Sequence, residues 1–269
     1  MTAPIVCLSV GSSDSSGGAG IQGDVKACTA MGAYCATAVV GVTAQNTRGV
    51  TARFAVPPDM IADQIAAVMD DIHIHAIKVG TVWNAEIMNL LADRFEGLDV
   101  PIVFDPVLKT SSGSLFRADE EALDAARQRM LKVATVVTPN LAEAQILADA
   151  PHVHLPSVLA EIVSARGARA VLITDAEPSR GGDWLYDGRH HHPIPAAKRH
   201  TTGCEHGAGC AHSTILAVLL AQGHDLLSAA TQAHQVAAAA VRHGAFRIGT
   251  RDHPVDVQAG LAHLAEGRP

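Results

Sequence analysis

The sequence predicts an α/β fold in which a mostly parallel sheet is covered by helices on both faces. Short runs rich in β-branched residues alternate with longer segments of helical periodicity along nearly the whole chain. Such alternation is typical of crossover units, which pack helices on both sides of a parallel sheet. Hydrophobic residues make up 48% of the 269 positions and charged residues 17%, which excludes a disordered chain. No linker, repeat or low-complexity stretch divides the chain, so we expect a single domain over residues 1–269.

Six short apolar runs are the predicted parallel strands, and each ends at a polar or glycine-containing segment. They are Ile5–Val10, Ala36–Val42, Ala76–Gly80, Ile102–Asp105, Val133–Thr138 and Ala170–Thr174. A hairpin is predicted from Trp184–Tyr186 and His190–Ile194, because the intervening residues are Asp-Gly-Arg.

Segments with apolar residues three or four positions apart are the predicted helices. In the first of them, Ile21, Val25 and Cys28 have that spacing, and Pro57 stands at the entry of the second. The helices are Gly20–Met31, Pro57–Asp71, Ala85–Phe95, Asp119–Leu131, Leu141–Ala148, Ser157–Arg166 and three Ala-rich segments at about 209–222, 225–243 and 254–265. Only 3% of the residues are aromatic, so small and branched side chains must build the core.

Charge and hydropathy argue against nucleic acid and membranes as partners. The formal net charge is -7 and no basic block stands out. The longest apolar runs, such as Ile215–Ala221, are far shorter than the ~18 residues of a membrane span. No signal peptide is recognisable at the N-terminus. The five cysteines are irregularly spaced, which is typical of reduced thiols, and we expect a cytoplasmic protein.

Two glycine-rich segments follow predicted strands or precede helices, where ligands of open α/β sheets bind. Gly11–Gly20 joins a strand to a helix, and its glycines let the backbone approach a ligand. His206–Cys210 places two glycines in one turn before an apolar helix, which predicts an anion hole of backbone amides. Cys210 lies in the first helical turn, where the helix dipole favours the thiolate and makes it a candidate proton acceptor. The alternatives are an ordinary helix cap for the loop and a small buried packing residue for Cys210.

Acidic and amide side chains follow two further strands. Asp105 comes directly after a four-residue apolar run, and Asn140 and Glu143 follow the next strand. Such oxygens can converge on a hydrated Mg²⁺, which needs few protein ligands. Taken alone, Asn140 is better interpreted as a helix N-cap and Glu143 as a solvated carboxylate of the first turn.

The motifs form a recognisable set when they are taken in order. They are Gly11–Asp24, Val42–Thr47, Ile77–Gly80, Asp105–Val107, Thr138–Glu143 and His206–Cys210. Over about residues 5–256 this series closely resembles the hydroxymethylpyrimidine/phosphomethylpyrimidine kinases of thiamine biosynthesis, a family of the ribokinase-like superfamily. Pyridoxal kinases share the architecture, so the motifs specify the fold more narrowly than the substrate.

The resemblance implies phosphoryl transfer from ATP, with Mg²⁺, to the hydroxymethyl group of 4-amino-5-hydroxymethyl-2-methylpyrimidine, followed by transfer to its monophosphate. It implies that Cys210 accepts the hydroxyl proton and that Gly207, Ala208 and Gly209 hold the transferring phosphoryl group. Asp105 and Glu143 correspond to the acidic positions around Mg²⁺. The implied nucleotide side comprises Asp105, Asn140, Glu143 and Thr174, and the implied pyrimidine side comprises Ser12, Ala19, Gly20, Asp24, Gln45, Thr81 and Val107. Gln45 matches the residue that recognises the polar edge of the ring, and the resemblance also implies a homodimer.

Several positions depart from the family pattern. Thr81 stands where the family usually has Met, beside the substrate ring, and Ala208 stands where Thr is common. The usual Val-Lys-Gly-Gly-His is replaced by Thr174–Pro178, so a phosphate-contacting lysine is absent and two carboxylates enter. Arg180 is a candidate replacement for that lysine. Ser111 stands where Lys or Thr is common.

These departures leave two alternatives to a pyrimidine kinase. One is a pyridoxal or pyridoxine kinase, which the change at Thr81 makes conceivable. The other is a pyrimidine-binding relative that no longer catalyses, which the missing lysine suggests. His206 and His212 flank the predicted anion hole, either as helix-end packing or as groups that act on Cys210 or phosphate. Trp83 is the one candidate stacking platform, with partial core burial as its alternative.

Overall fold

The nine strands form one sheet whose centre is parallel. A computed structural model describes residues 4–108, 120–176, 181–196 and 202–266. The strands in these residues are β1 (Val6–Asp14), β2 (Tyr34–Asn46), β3 (Gly49–Ala55), β4 (Ala76–Val79), β5 (Ile102–Phe104), β6 (Val136–Val137), β7 (Val171–Ile173), β8 (Asp183–Tyr186) and β9 (His191–Ile194). Their order in the sheet is β3-β2-β1-β4-β5-β6-β7-β8-β9. The pairs between β2 and β7 are parallel, and β3, β8 and β9 are added antiparallel at the two edges.

Helices cover both faces of this sheet, as the alternation predicts. They are α1 (Gly20–Ala30), α2 (Pro58–Met69), α3 (Ala85–Phe95), α4 (Glu120–Ala125) with a π-helical turn (Ala126–Met130) and α5 (Leu131–Val133), α6 (Leu141–Ala148), α7 (Pro156–Ala165), α8 (Ala208–Ala221), α9 (Leu226–Arg242) and α10 (Val257–Ala265). Successive strand residues point to opposite faces, so Leu8 packs in the core under α2 to α7 while Cys7 packs under α1, α8 and α9. The predicted α/β class with a mostly parallel sheet is confirmed.

Small residues let the helices approach one another closely on the face of the sheet that is covered by α1, α8 and α9. The core on that face combines Ile, Leu and Val side chains of α8 with Ala side chains of α8 and α9. At Gly260 of α10, an added Cβ would lie 2.7 Å from the amide nitrogen of Ala240 on α9, so only glycine allows this packing distance. The core on this face therefore uses small side chains, in line with the low aromatic content of the sequence, and these allow the helices to pack closely. None of the described helices has the length and apolar character that crossing a membrane requires.

The structure differs from the predicted elements at several places, and β1, for example, continues to Asp14 rather than ending at Val10. Strand β2 continues four residues past Val42, and the chain then turns back into β3. The sequence pattern does not predict β3, because most of the side chains of β3 are exposed and do not alternate between buried and exposed. The predicted strand Val133–Thr138 shortens to β6, since the preceding helix runs through Val133. The last helix begins at Val257 rather than near residue 254, because the Asp256 side chain caps it by accepting the amide of Ala259.

Candidate active site

A cavity of about 230 Å³ lies at the carboxyl ends of the parallel strands. It contains every predicted site residue except Asp24, although these residues are spread over most of the chain. The predicted residues in its wall are Ser12, Ala19, Gly20, Gln45, Thr81, Asp105, Val107, Asn140, Glu143, Thr174, Gly207, Ala208, Gly209 and Cys210. The topology brings them together because the strands that precede them end at the same edge of the sheet.

The turn before α8 has the backbone geometry of an anion hole. Gly207 has φ +84°, and a Cβ at this position would collide with the backbone oxygen of Gly18, so only glycine can occupy it. The Ala208 amide donates to the Glu205 carbonyl at 3.1 Å. Within the described residues, the amides of Gly209 and Cys210 have no recorded backbone acceptor. They also lie at a helix N-terminus that lacks a side-chain cap, which is the arrangement that binds phosphate. The Ala208 amide was expected to bind the phosphoryl group with its neighbours. Because it already donates to Glu205, this expectation is corrected, and the amides of Gly209 and Cys210 remain for that role.

The Cys210 thiol lies in the first turn of α8, in the cavity wall. Burial raises the pKa of this thiol to about 12, and the positive charge of Lys78 offsets only part of that effect. The sequence-based expectation that the thiolate is favoured here is therefore wrong for the unliganded protein. Desolvation outweighs the helix dipole, and the thiol is protonated at neutral pH.

A buried charge network lies directly beneath the cavity. Lys78 of β4 is 1% exposed, and its Nζ lies 3.0 Å from Asp24 Oδ1 and 3.7 Å from Asp105 Oδ2. Hydroxyl groups of α8 complete the network, since Ser213 donates to Asp105 at 2.9 Å and Thr214 donates to Asp24 at 2.8 Å. Burial lowers the pKa of Lys78, but the surrounding negative charges outweigh burial and raise it.

The position of Asp24 corrects its predicted role. Its carboxylate also accepts a hydrogen bond from Ser9 at 2.6 Å, is 1% exposed and does not line the cavity. Asp24 is therefore the counter-ion of Lys78, with its oxygens occupied by protein donors, and it lies outside the cavity wall in which a substrate-binding role was expected. The sequence analysis includes Lys78 in the motif Ile77–Gly80 but assigns it no role. The available signal was a lysine inside the otherwise apolar run Ala76–Gly80.

Asp105 and Glu143 are two buried carboxylates at neighbouring strand ends. Burial raises the pKa of Asp105, and burial together with the charge of Asp105 raises the pKa of Glu143 to about 8. Glu143 is 6% exposed, so its interpretation as a solvated carboxylate is wrong. It accepts the amides of Leu108 and Asn140, at 3.3 and 3.0 Å. The interpretation of Asn140 as the N-cap of α6 is confirmed, because its side chain accepts the Glu143 amide at 3.0 Å.

These two carboxylates fit a divalent cation of the hard, oxygen-binding type. Burial is the main cause of their raised pKa values, and a bound cation would offset the cost of keeping both carboxylates charged there. Mg²⁺ is bound in proteins by one or two carboxylates, with water and phosphate oxygens completing its shell. The described residues contain no cluster of three or more His, Cys, Asp or Glu side chains that could hold a metal by themselves.

Another part of the cavity wall, directly before the Gly207 turn, carries a chain of three polar side chains. His206 Nε2 lies 2.9 Å from Asp14 Oδ2 and 3.4 Å from Gln45 Nε2. Burial would raise the pKa of Asp14, but hydrogen bonds from His206 and Ser16 lower it. Thr43 also donates to Gln45 Oε1 at 3.2 Å. Gln45 is thus held in place at the cavity wall, and sequence reasoning did not select Asp14 or Thr43, which support it.

Trp83 lies outside the cavity wall. Its ring packs against the backbone of Gly41, where a Cβ would collide with it, and Arg53 lies over the ring at 5.8 Å. Partial core burial is therefore the correct interpretation. None of the described Phe, Tyr or Trp side chains lines the cavity.

A second cavity, of about 320 Å³, lies on the other side of Ala208 and Gly209. Its wall includes Asp175, Asp183, Glu205, His212 and His234. The histidine at position 212 therefore faces this second cavity, whereas His206 faces the first. Ser111, Glu177, Pro178 and Arg180, which the sequence analysis singled out, lie outside the described residues.

Comparisons with known proteins agree with this geometry. The family model for phosphomethylpyrimidine kinase matches residues 14–256. The chain is 36% identical over 260 residues to the hydroxymethylpyrimidine/phosphomethylpyrimidine kinase of Synechococcus elongatus, a match that covers 95% of this chain and 97% of that protein. It is 35% identical over 229 residues to the chloroplastic thiamine biosynthetic bifunctional enzyme of Arabidopsis thaliana, covering 82% of this chain and 44% of that enzyme.

The fold is also similar to a solved pyridoxal kinase. The structure of that enzyme from Staphylococcus aureus in complex with ADP superposes with a TM-score of 0.85 and 26% identity. The match covers 96% of this chain and 95% of that chain.

Proposed function

The chain belongs to the phosphomethylpyrimidine kinase family, and we propose that it transfers the γ-phosphoryl group of ATP to the hydroxymethyl group of 4-amino-5-hydroxymethyl-2-methylpyrimidine and then to the resulting monophosphate. This reaction belongs to thiamine biosynthesis. The observation that carries the proposal is one cavity with a hydrogen-bonding end at Gln45 and an anion hole beside two buried carboxylates. The single sheet supports one kinase domain over residues 1–269.

The pyrimidine lies between Gln45 and Cys210 in this proposal. The Gln45 amide can donate and accept hydrogen bonds, which suits the amino group and ring nitrogens of the substrate. Ala19, Gly20 and Val107 form close walls around a flat ring, and Thr81 adds a small polar side chain. The hydroxymethyl group then points toward Cys210 and the turn before α8.

The nucleotide occupies the second cavity, with its terminal phosphate at the amides of Gly209 and Cys210. Phosphoryl transfer depends mainly on positioning and on stabilisation of the charge on the transferring group, which these amides supply. Asp105 and Glu143 would hold Mg²⁺, which neutralises phosphate charge when it is bound. Asn140 and Thr174 line both cavities and contact the polyphosphate between them.

Cys210 accepts the proton of the substrate hydroxyl as the hydroxyl oxygen attacks the γ-phosphorus. Only the thiolate can accept this proton, so the reactive form is the minor one, with Lys78 supplying the positive charge that stabilises it. The O–H bond breaks toward sulfur, the new O–P bond forms, and the bond from phosphorus to the β-phosphate oxygen breaks.

The proposal is tested with purified protein, ATP, Mg²⁺ and the hydroxymethylpyrimidine. We expect the monophosphate and then the diphosphate to accumulate, with one ADP released for each phosphoryl group transferred. A folded sample that phosphorylates neither pyrimidine would contradict the proposal. Calorimetry identifies a non-catalytic relative, because such a protein binds the pyrimidine without nucleotide affinity.

Pyridoxal is the second candidate substrate, because a pyridoxal kinase shares the fold at a TM-score of 0.85. The sequence favours the pyrimidine, since identity is 36% to the pyrimidine kinase and 26% to the pyridoxal kinase. Parallel assays with both substrates decide between them through the ratio of the two kcat/KM values.

Replacing Gln45 with alanine should raise the KM for the pyrimidine by about ten- to hundredfold with a smaller change in kcat, because one or two hydrogen bonds to the ring are lost. Steady-state kinetics measures this effect. Gln222→Ala at the far end of α8 is the matched control and should leave KM unchanged. An unaltered KM in Gln45→Ala would place the pyrimidine elsewhere.

We also propose that the protein is a homodimer formed through the edge of the sheet at β3. Val42 and Phe54 are register partners on β2 and β3, and they are 43% and 66% exposed. An exposed apolar pair on an edge strand is typical of a protein interface.

Phe54→Glu should convert the dimer to a monomer, because it places a charge in the centre of that apolar patch. Light scattering coupled to gel filtration measures the mass. Phe246→Glu, at another exposed phenylalanine, is the matched control and should remain dimeric. A monomeric wild-type protein would disprove the interface.

A further inference from the structure

Two histidines share one buried carboxylate in the wall of the second cavity. His212 lies one turn past the anion hole on α8, His234 lies on α9, and Asp183 begins β8. His212 Nε2 and His234 Nδ1 lie 3.1 and 3.0 Å from the same oxygen, Asp183 Oδ2. The other carboxylate oxygen accepts the amide of Asp175 at 3.0 Å. The proposed transfer chemistry uses none of these side chains.

The cavity wall needs positive charge if a polyphosphate is to bind there. Asp175 follows β7, Glu205 precedes the anion hole, and Asp183 contributes a third carboxylate. Within the described residues, no Lys or Arg lines this cavity. Asp175 itself stands where the resembled family has its phosphate-contacting lysine. The two imidazoles are therefore the groups of the described wall that can become cationic near neutral pH.

The surroundings of the His234 ring favour its protonation. Burial lowers the pKa of His234, but its hydrogen bond to Asp183 and the charge of Asp175 outweigh burial and raise it. Burial would raise the pKa of Asp183, but the two imidazoles hold it well below its usual range. From β5, the charge of Asp105 also acts on His212. His212 is 5% exposed, and neither of its ring nitrogens makes a hydrogen bond within the described residues, although Nε2 lies 3.1 Å from Asp183 Oδ2.

We propose that His212, Asp183 and His234 form the cationic element of the nucleotide site, which takes up a proton when a nucleoside polyphosphate binds beside Ala208 and Gly209. The inference rests on the proposed function, because it places the nucleotide in the second cavity. Within the described residues, the triad supplies a positive charge that depends on pH in place of the permanent lysine charge of the resembled family. Nucleotide affinity therefore rises as the pH falls through the range in which His234 titrates.

The experiment is calorimetric titration of the whole protein with ADP at saturating Mg²⁺, in buffers of different ionisation enthalpy. Wild-type protein should take up a fraction of a proton per ADP between about pH 6 and 8, and this uptake should be lost in His234→Gln. Across that range the affinity of wild-type protein should increase about tenfold more than that of His234→Gln, which corresponds to a pKa rise of about one unit on binding. His190→Gln, on the exposed β8–β9 turn, is the matched control and should behave as wild type.

A second variant separates charge from folding. His234→Lys keeps a cation beside Asp183, so it should bind ADP with wild-type affinity at the acidic end of the range and lose the pH dependence. If proton uptake and the pH dependence of affinity are the same in wild type, His234→Gln and His234→Lys, the triad only links β8 to α8 and α9, and the inference is wrong. If the pH dependence is the same in all three proteins but the wild type still phosphorylates the pyrimidine, only the inference about the triad fails and the proposed function stands. No ADP binding by the wild type would overturn both.

Discussion

Cys210→Ala should lower kcat by about 10²- to 10⁴-fold, the usual contribution of a general base, while the KM for the pyrimidine changes little. The variant removes the proton acceptor but keeps the backbone amides of the anion hole, the two carboxylates and Gln45. Binding of the pyrimidine, measured by calorimetry, should therefore survive the loss of turnover. Steady-state kinetics gives the size of the effect.

The pH dependence of wild-type turnover provides a second measurement of the same role. Burial raises the pKa of the Cys210 thiol to about 12. If the thiolate is the reactive form, its fraction grows with each pH unit below that value, so kcat should rise steadily from neutral to alkaline pH. A profile that reaches its plateau at or below about pH 7 would contradict a thiolate base with this pKa.

The matched control for Cys210→Ala is Cys35→Ala. Cys35 lies on β2 beside Cys7, toward the end of the sheet opposite the cavity, and its thiol is half-buried. This variant should keep wild-type kcat and KM. If instead Cys210→Ala turns over at the wild-type rate, the anion hole and the carboxylates account for catalysis without a base at this position.

Lys78→Met should lower the free energy of unfolding by about 3–5 kcal/mol, because it leaves Asp24 and Asp105 buried without their counter-ion. Lys78 and Asp24 are each 1% exposed, so water cannot replace the lost charge. Denaturant unfolding measures the change. Activity should also fall, because Asp105 and the first turns of α8 are positioned by the same network.

A double mutant identifies the cause of that destabilisation. Lys78→Met with Asp24→Asn removes the positive charge and one negative charge together, so the combined loss should be smaller than the sum of the two single losses. Lys26→Met is the matched control on α1. Its exposed ammonium contacts only the Gly17 carbonyl, so we expect a change within about 0.5 kcal/mol. Additive losses in the double mutant would show that Lys78 and Asp24 are not energetically coupled.

The cavity wall could be predicted from the sequence because its residues occupy equivalent positions in the chain. Asp105, Asn140 and Thr174 each follow a short apolar strand, and parallel strands deliver such residues to one edge of the sheet. Gly207 could be predicted as well, since a glycine before an apolar helix indicates a special backbone conformation. Asp24 could not be placed correctly, because helical periodicity does not reveal which buried partner a carboxylate meets across the core.

Apart from β3 and the extension of β2, the sequence by itself determined the main strands, helices and glycine turns of this protein, since each depends on residues a few positions apart. The tertiary structure alone decided which charged side chains meet at the site and which protonation states they favour. Lys78 lies between Asp24 and Asp105, and Asp183 lies between His212 and His234, through contacts that join distant parts of the chain. Protonation depends on charge and solvent exposure through space, so the state of Cys210 could be assigned only after the chain had folded around it.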